Sequence, residues 1–151
     1  MKQDSDLETI LGYQVQRGFL TMTDDARRVL EPYGLTPAKL TALLLIRANP
    51  ACDQTTLGRA LSINRSSAMK LVNALVAGGF IERRAGRNLR TNALHLLPRG
   101  EAQLDDLLVS LRESDRRMSA RLSEAERATL FALLGKLGPA RSRRSLHEIE
   151  Q

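Results

Sequence analysis

Residues 53–79 read DQTTLGRALSINRSSAMKLVNALVAGG, and residues 80–100 continue FIERRAGRNLRTNALHLLPRG. Asp53 is placed to cap a short helix from Gln54 to Leu61, in which Leu57, Ala60 and Leu61 would face inward. After Ser62-Ile63-Asn64 a second helical stretch carries Ala68, Leu71, Val72, Leu75 and Val76, and Gly78-Gly79 ends it. Two helices joined by about three residues, the second polar in its first turn, make a helix-turn-helix. Phe80 to Arg83 then reads as a strand and Ala93 to Leu97 as a second one, with an Arg-rich, Gly-containing segment from Arg84 to Asn92 between them. Such a hairpin directly after a helix-turn-helix is a wing, lying along a DNA backbone or entering the minor groove.

Outward from this centre the chain is helical on both sides. Leu7, Ile10, Leu11, Val15, Met22, Ala26 and Leu30 recur at helical spacings and predict one long first helix, broken at Pro32 and Gly34. Thr36-Pro37 is an N-cap with proline in the first turn of a short buried helix running to Asn49-Pro50. Beyond the hairpin, Pro98-Arg99-Gly100 opens a long helix striped by Leu104, Leu107, Leu108, Leu111, Met118 and Leu122. Ser123 with Glu126 fits a capping box for a last helix, carrying Leu130, Phe131, Leu133, Leu134 and Leu137 up to Gly138-Pro139. The fold expected is mostly α with a small β-hairpin wing.

The chain has 151 residues, 42% of them apolar and 26% charged, which fits one ordinary domain with a packed core. With three Phe, two Tyr and no Trp, that core is built from Leu, Ala, Val and Ile. One Cys forms no internal disulfide, and two His give no common structural zinc set, so a reducing cytoplasm is the expected location and no cofactor or metal is expected. The acidic start MKQDSDLETI is unlike a secretory signal, and no apolar run reaches the roughly 18 residues of a membrane span.

The net charge of +6 is confined to one third of the chain. Residues 1–50 hold six basic and six acidic groups, and residues 100–151 hold nine of each. Between them, Arg59, Arg65, Lys70, Arg83, Arg84, Arg87, Arg90 and Arg99 face only Asp53 and Glu82. A basic segment between neutral flanks suits phosphate binding, and its plain alternative is a solvated surface. No nucleophile elbow, phosphate-binding glycine loop, catalytic carboxylate pair or metal signature is present, which argues against an enzyme.

The order of elements and several blocks in register resemble the MarR family, the multiple antibiotic resistance regulators. The blocks are Leu11-Gly12-Tyr13, Gly34-Leu35-Thr36-Pro37, Leu57-Gly58-Arg59-Ala60-Leu61, Asn64-Arg65-Ser66-Ser67, Leu71-Val72-Asn73-Ala74-Leu75, Gly79-Phe80-Ile81-Glu82-Arg83 and Leu94-His95-Leu96-Leu97-Pro98-Arg99-Gly100. The resemblance implies a single domain over 1–151, with 36–100 the winged helix-turn-helix and 1–35 plus 101–151 a helical dimerisation part. It also implies a homodimer on a pseudopalindromic site in double-stranded DNA. Members place DNA-contacting residues at the positions matching Asn64, Arg65, Ser66, Ser67 and Lys70. Helix geometry agrees, because positions 66, 67 and 70 lie away from Leu71, Val72 and Leu75.

The wing departs from the family pattern. Members commonly carry Asp-x-Arg near the tip, whereas this chain reads Asn88-Leu89-Arg90-Thr91. Arg90 is the first candidate for the minor groove and Arg87 the second, without an acid to orient them. Many members also leave DNA on binding a small aromatic acid. Tyr13 and Arg17 stand four apart on one face of the first helix, and Arg17 resembles an arginine that meets salicylate-like carboxylates in related proteins, so a phenolic carboxylate is the effector class expected. An interface ion pair for Arg17 and a core ring for Tyr13 are the alternatives. Tyr33, Lys39 and His95 are weaker pocket candidates, and Cys52, lacking a partner thiol or a cluster of cations, is a poor redox sensor. A repressor released by a phenolic acid is thus weighed against a non-specific architectural DNA-binding protein and a winged-helix module for protein partners.

Overall fold

The computed structural model describes residues 5–85 and 92–137. Helix α1 (Ser5–Thr9) is followed by α2 (Leu11–Leu30), a 3-10 turn at Glu31–Tyr33, α3 (Pro37–Ala48), α4 (Gln54–Ala60) and α5 (Arg65–Ala77). Strands β1 (Ile81–Ala85) and β2 (Asn92–Leu96) come next, and α6 (Pro98–Met118) and α7 (Glu124–Leu137) complete the order. The protein is mostly helical with one antiparallel hairpin, as the apolar periodicities indicate. The single long first helix is instead interrupted at Ile10, which is extended with φ −87 and ψ 112. The Thr9 hydroxyl donates to the Asp6 carbonyl at 2.8 Å, and Gln14 Nε2 donates to the Glu8 carbonyl at 2.8 Å. These side chains satisfy carbonyls that an unbroken helix would have used.

The caps form where the sequence puts them. Thr36 Oγ1 accepts from the Lys39 amide at 3.3 Å, and Asp53 Oδ1 accepts from the Thr56 amide at 2.7 Å. At α7 the box is reciprocal: the Ser123 amide donates to Glu126 Oε2 at 2.8 Å and the Glu126 amide donates to Ser123 Oγ at 3.3 Å.

The chain divides into two compact units, Met1–Asp115 and Arg116–Gln151. The first holds the core, where Leu30, Leu43, Ile46, Leu57, Val72, Leu75, Ile81, Leu94, Leu104 and Leu107 are buried together. Each Leu or Ile removed from water there contributes roughly 2 kcal/mol, so the winged helix rests on a continuous apolar centre. The hairpin pairs Ile81 with Leu96 and Ala85 with Asn92. Its strands extend two residues further on β1, and end one residue earlier on β2, than the sequence pattern suggests.

A feature invisible in the periodicity is a third edge. The Ala51 amide donates to the Leu94 carbonyl at 3.1 Å, and the Leu94 amide donates to the Cys52 carbonyl at 2.9 Å. The segment before α4 is thereby laid along β2, with Asp53 bridged to Ala93. At the other end of β2, a Cβ on Gly100 would lie 2.2 Å from the carbonyl oxygen of Phe80, so α6 starts against bare backbone. Arg47 on α3 reaches Asp105 at 2.9 Å and Glu101 at 3.7 Å on α6, and Ser114 on α6 donates to Asp25 on α2.

Helix α2 keeps Leu11, Val15, Phe19, Leu20 and Met22 exposed. In the second unit, α7 buries none of its residues, and Leu130, Phe131, Leu133, Leu134 and Leu137 are all exposed. Among the described residues no helix is long and apolar enough to cross a membrane.

Candidate nucleic-acid interface

The two central helices meet closely because small residues face each other. A Cβ on Gly58 of α4 would come within 3.1 Å of Ala68 Cβ on α5, and Ser62 turns the chain between them in the left-handed region at φ 55. Asn64 then caps α5, its Oδ1 accepting from the Ser67 amide at 2.8 Å. Ala68, Val72 and Leu75 are buried on one side of α5. Arg65, Ser66, Ser67, Lys70 and Asn73 are exposed to solvent. The five residues read from the sequence, Asn64, Arg65, Ser66, Ser67 and Lys70, are therefore all exposed at the start of one helix.

Asn64 is both a candidate contact and the cap, so its side-chain oxygen is already committed. Among the described residues no ion pair engages Arg65 or Lys70, and both guanidinium and ammonium are available to an anion. Arg59 and Arg65 flank a cleft of about 220 Å³ between α4 and α5, with Gln54 and Thr55 on its rim. Arg59 is already marked by its charge, whereas Gln54 and Thr55 carry no periodic signal and only their adjacency to α5 marks them.

The hairpin adds charge beside the helix. Arg83 on β1 donates from a terminal guanidinium nitrogen to Asn73 Oδ1 on α5 at 2.6 Å. Arg84 is held by Glu82, with its Nε at 2.7 Å from Oε1. Arg87 and Arg90, the two wing candidates, lie outside the described residues, as does Asn88.

Tyr13 and Arg17 come together as expected from their spacing. The Arg17 guanidinium carbon stands 5.9 Å from the centre of the Tyr13 ring, a cation–π contact, with Tyr13 half-buried and Arg17 exposed. Lys39 is occupied, its ammonium donating to the Gly34 carbonyl at 2.9 Å. Tyr33 packs against the core, and His95 is half-buried on β2 opposite Glu82.

A groove of about 720 Å³ runs between the second half of α2 and the start of α3, with Phe19, Thr23, Arg27 and Arg28 on one wall and Leu35 to Ala38 on the other. Sequence reasoning missed it, because its walls are brought together only by the turn at Glu31–Gly34. Cys52 is half-buried, and its thiol is raised above the ordinary range, first by burial and then by the neighbouring Asp53 charge. Both effects disfavour the reactive thiolate. Among the described residues no group of three His, Cys, Asp or Glu side chains converges to hold a metal.

The family model for the MarR family matches residues 33–90. A transcriptional regulatory protein for the hcr operon of Thauera aromatica is 36% identical over 129 residues, spanning 84% of this chain and 78% of the relative. The transcriptional repressor CouR bound to a 23-mer DNA duplex superposes with a TM-score of 0.82 at 28% identity, covering 91% of this chain and 98% of CouR. CouR bound to p-coumaroyl-CoA gives 0.78 at 29% identity, covering 91% and 97%. A MarR-family protein of Mycobacterium tuberculosis in complex with salicylic acid gives 0.70 at 25% identity, covering 85% and 96%. The helix order, the exposed polar start of α5 and the hairpin beside it are those of a DNA-binding regulator and not of an enzyme, and with these similarities the chain belongs to the MarR family of winged-helix transcriptional regulators.

Proposed function

We propose that this regulator is a homodimeric repressor that binds a pseudopalindromic operator and leaves it when a small phenolic carboxylate binds. The observation that carries the reading is the cluster of Arg65, Ser66, Ser67 and Lys70 on the exposed start of α5, next to the basic hairpin. Arg65 can bond a guanine edge in two places, the serines reach bases or phosphates at short range, and Lys70 meets phosphate. Asn64 caps the helix and brings its amide nitrogen to the same surface, while Arg90 and Arg87 of the wing meet the backbone or the minor groove.

Dimerisation is supported by apolar residues of α2 and α7 that stay exposed in each unit, among them Leu11, Phe19, Phe131 and Leu137. A twofold dimer sets two recognition helices on successive major-groove faces, about one DNA turn apart. Within each protomer, residues 36–100 are the DNA-binding part, and 1–35 with 101–151 the dimerisation part.

The effector reading rests on Tyr13 and Arg17, an aromatic face and a guanidinium that together suit a phenolic carboxylate. Salicylic acid in one related structure supports that ligand class, whereas the p-coumaroyl-CoA bound to CouR shares the phenol but carries its acyl group as a thioester. Arg28 in the nearby groove offers further positive charge for the acid or for its thioester, whereas Arg27 beside it is paired with Asp24 at 3.3 Å. Release requires the ligand to bind the DNA-free arrangement more tightly than the DNA-bound one.

The test is fluorescence anisotropy on DNA from upstream of the protein's own gene against shuffled DNA, at fixed salt, with a panel of phenolic acids and their thioesters. Preference for the native DNA, abolished by one compound and retained in Arg17→Ala, supports the whole reading. Equal binding to both DNAs assigns an architectural role instead. Loss of the response in Arg28→Ala but not in Arg17→Ala moves the effector to the groove.

A further inference from the structure

We propose that Met69 reads the 5-methyl group of a thymine in the major groove of the operator. The inference rests on α5 being the recognition helix. Met69 is the one large apolar side chain exposed on that helix, at 48% of its full accessibility, and it takes no part in the apolar core. Arg65 stands one turn before it and Asn73 one turn after, with Ser66 and Lys70 alongside, all exposed.

Single exposed apolar residues are ordinary on protein surfaces. Met69 differs in its setting, because every neighbour on that surface is polar or cationic and suited to DNA. A side chain held among groups that reach base edges and phosphates lies within reach of the same groove. The thymine methyl is the apolar group that base pairs present there. Methionine suits it, being unbranched, with a polarisable thioether and three rotatable bonds that let it lie along a methyl without displacing its neighbours. Arg65 and Lys70 would thus supply guanine and phosphate contacts, and Met69 would mark an A·T pair beside them.

The experiment starts from duplexes selected from random DNA by the full-length protein. Each thymine of the selected site is then replaced by deoxyuridine, which removes the methyl and keeps every hydrogen-bonding group. At one position per half-site the wild type is expected to weaken about fourfold for a single replacement, and about fifteenfold for the symmetric pair. Met69→Ala and Met69→Gln should bind the thymine duplex more weakly than wild type and give the same affinity for the uracil duplex. Arg65→Ala should bind both more weakly and keep their ratio. Because Met69 is exposed, thermal unfolding of its variants should match wild type.

A wild type indifferent to every replacement would overturn the assignment, and so would a Met69→Ala variant that keeps the full thymine preference. A selection that enriches no sequence would remove sequence reading altogether, which is a different failure from loss of the thymine contact alone.

Discussion

Arg83 and Asn73, ten residues apart in the chain, are joined by a 2.6 Å hydrogen bond that ties the base of the wing to the outer face of the recognition helix. Arg83 therefore positions the hairpin against α5. Arg83→Ala and Asn73→Ala should each weaken operator binding by about five- to tenfold, and the double variant should be little worse than either. Anisotropy over the four proteins gives the coupling, expected at about 1 kcal/mol. Additive losses would mean that the two residues act on DNA independently.

Asn64 separates stability from binding. Asn64→Ala removes the cap on α5 and should cost about 1 kcal/mol in urea unfolding. Asn64→Asp keeps an acceptor for the Ser67 amide and should restore stability. It also places a negative charge on the surface proposed to meet DNA, so its operator affinity should fall below wild type, and more steeply at low salt.

Asp53 gives a signed pH dependence. Its carboxyl is lowered below the ordinary range, first by the Thr56 amide bond, while slight burial opposes the shift. A group lowered in the folded state stabilises fully above its unfolded value near pH 4 and loses that contribution as pH falls through its folded value. Asp53→Asn should flatten the acid limb of a stability-versus-pH curve below about pH 4 and leave its neutral region sloped as before. An unchanged acid limb would contradict the cap assignment.

Ser62 tests the turn between α4 and α5. Its φ of 55 is tolerated by Ser, natural to Gly and poor for a β-branched residue. Ser62→Gly should leave stability within about 0.5 kcal/mol, since relief of strain and added unfolded-state entropy oppose each other. Ser62→Val should cost about 1–2 kcal/mol and reduce DNA binding with it. Thermal melts of both variants decide the point.

Local signals carried most of the architecture. Caps at Thr36, Asp53 and Ser123 are short-range chemistry, readable from three or four neighbouring residues, and each forms, while the cap by Asn64 was overlooked in a residue read only as a DNA contact. Helical periodicity likewise placed Ser66, Ser67 and Lys70 away from Val72 and Leu75. The break at Ile10 was missed because the apolar spacing runs through it unchanged, while side-chain bonds from Thr9 and Gln14 and a backbone bond from the Ile10 amide to the Leu7 carbonyl end the helix. The Arg83–Asn73 bond, the pairing of Ala51 and Cys52 with β2, and the groove between α2 and α3 join residues separated in sequence. Periodicity holds no information on such meetings. Charge counting had placed Arg83 and Arg84 in the DNA-facing pool, yet one is spent on Asn73 and the other on Glu82.

At Gly100, α6 meets the Phe80 carbonyl with no side chain between the two backbones. Side chains at a packed contact absorb small displacements by changing rotamer, and here none exists to do so. The Leu97 amide, which donates to the same carbonyl at 2.9 Å, tightens the joint further. A tilt at the start of α6 would therefore press directly on the backbone that leads into the first strand of the hairpin. The start of α6 and the foot of the hairpin are thus one joint, and any displacement of the one would have to be shared by the other.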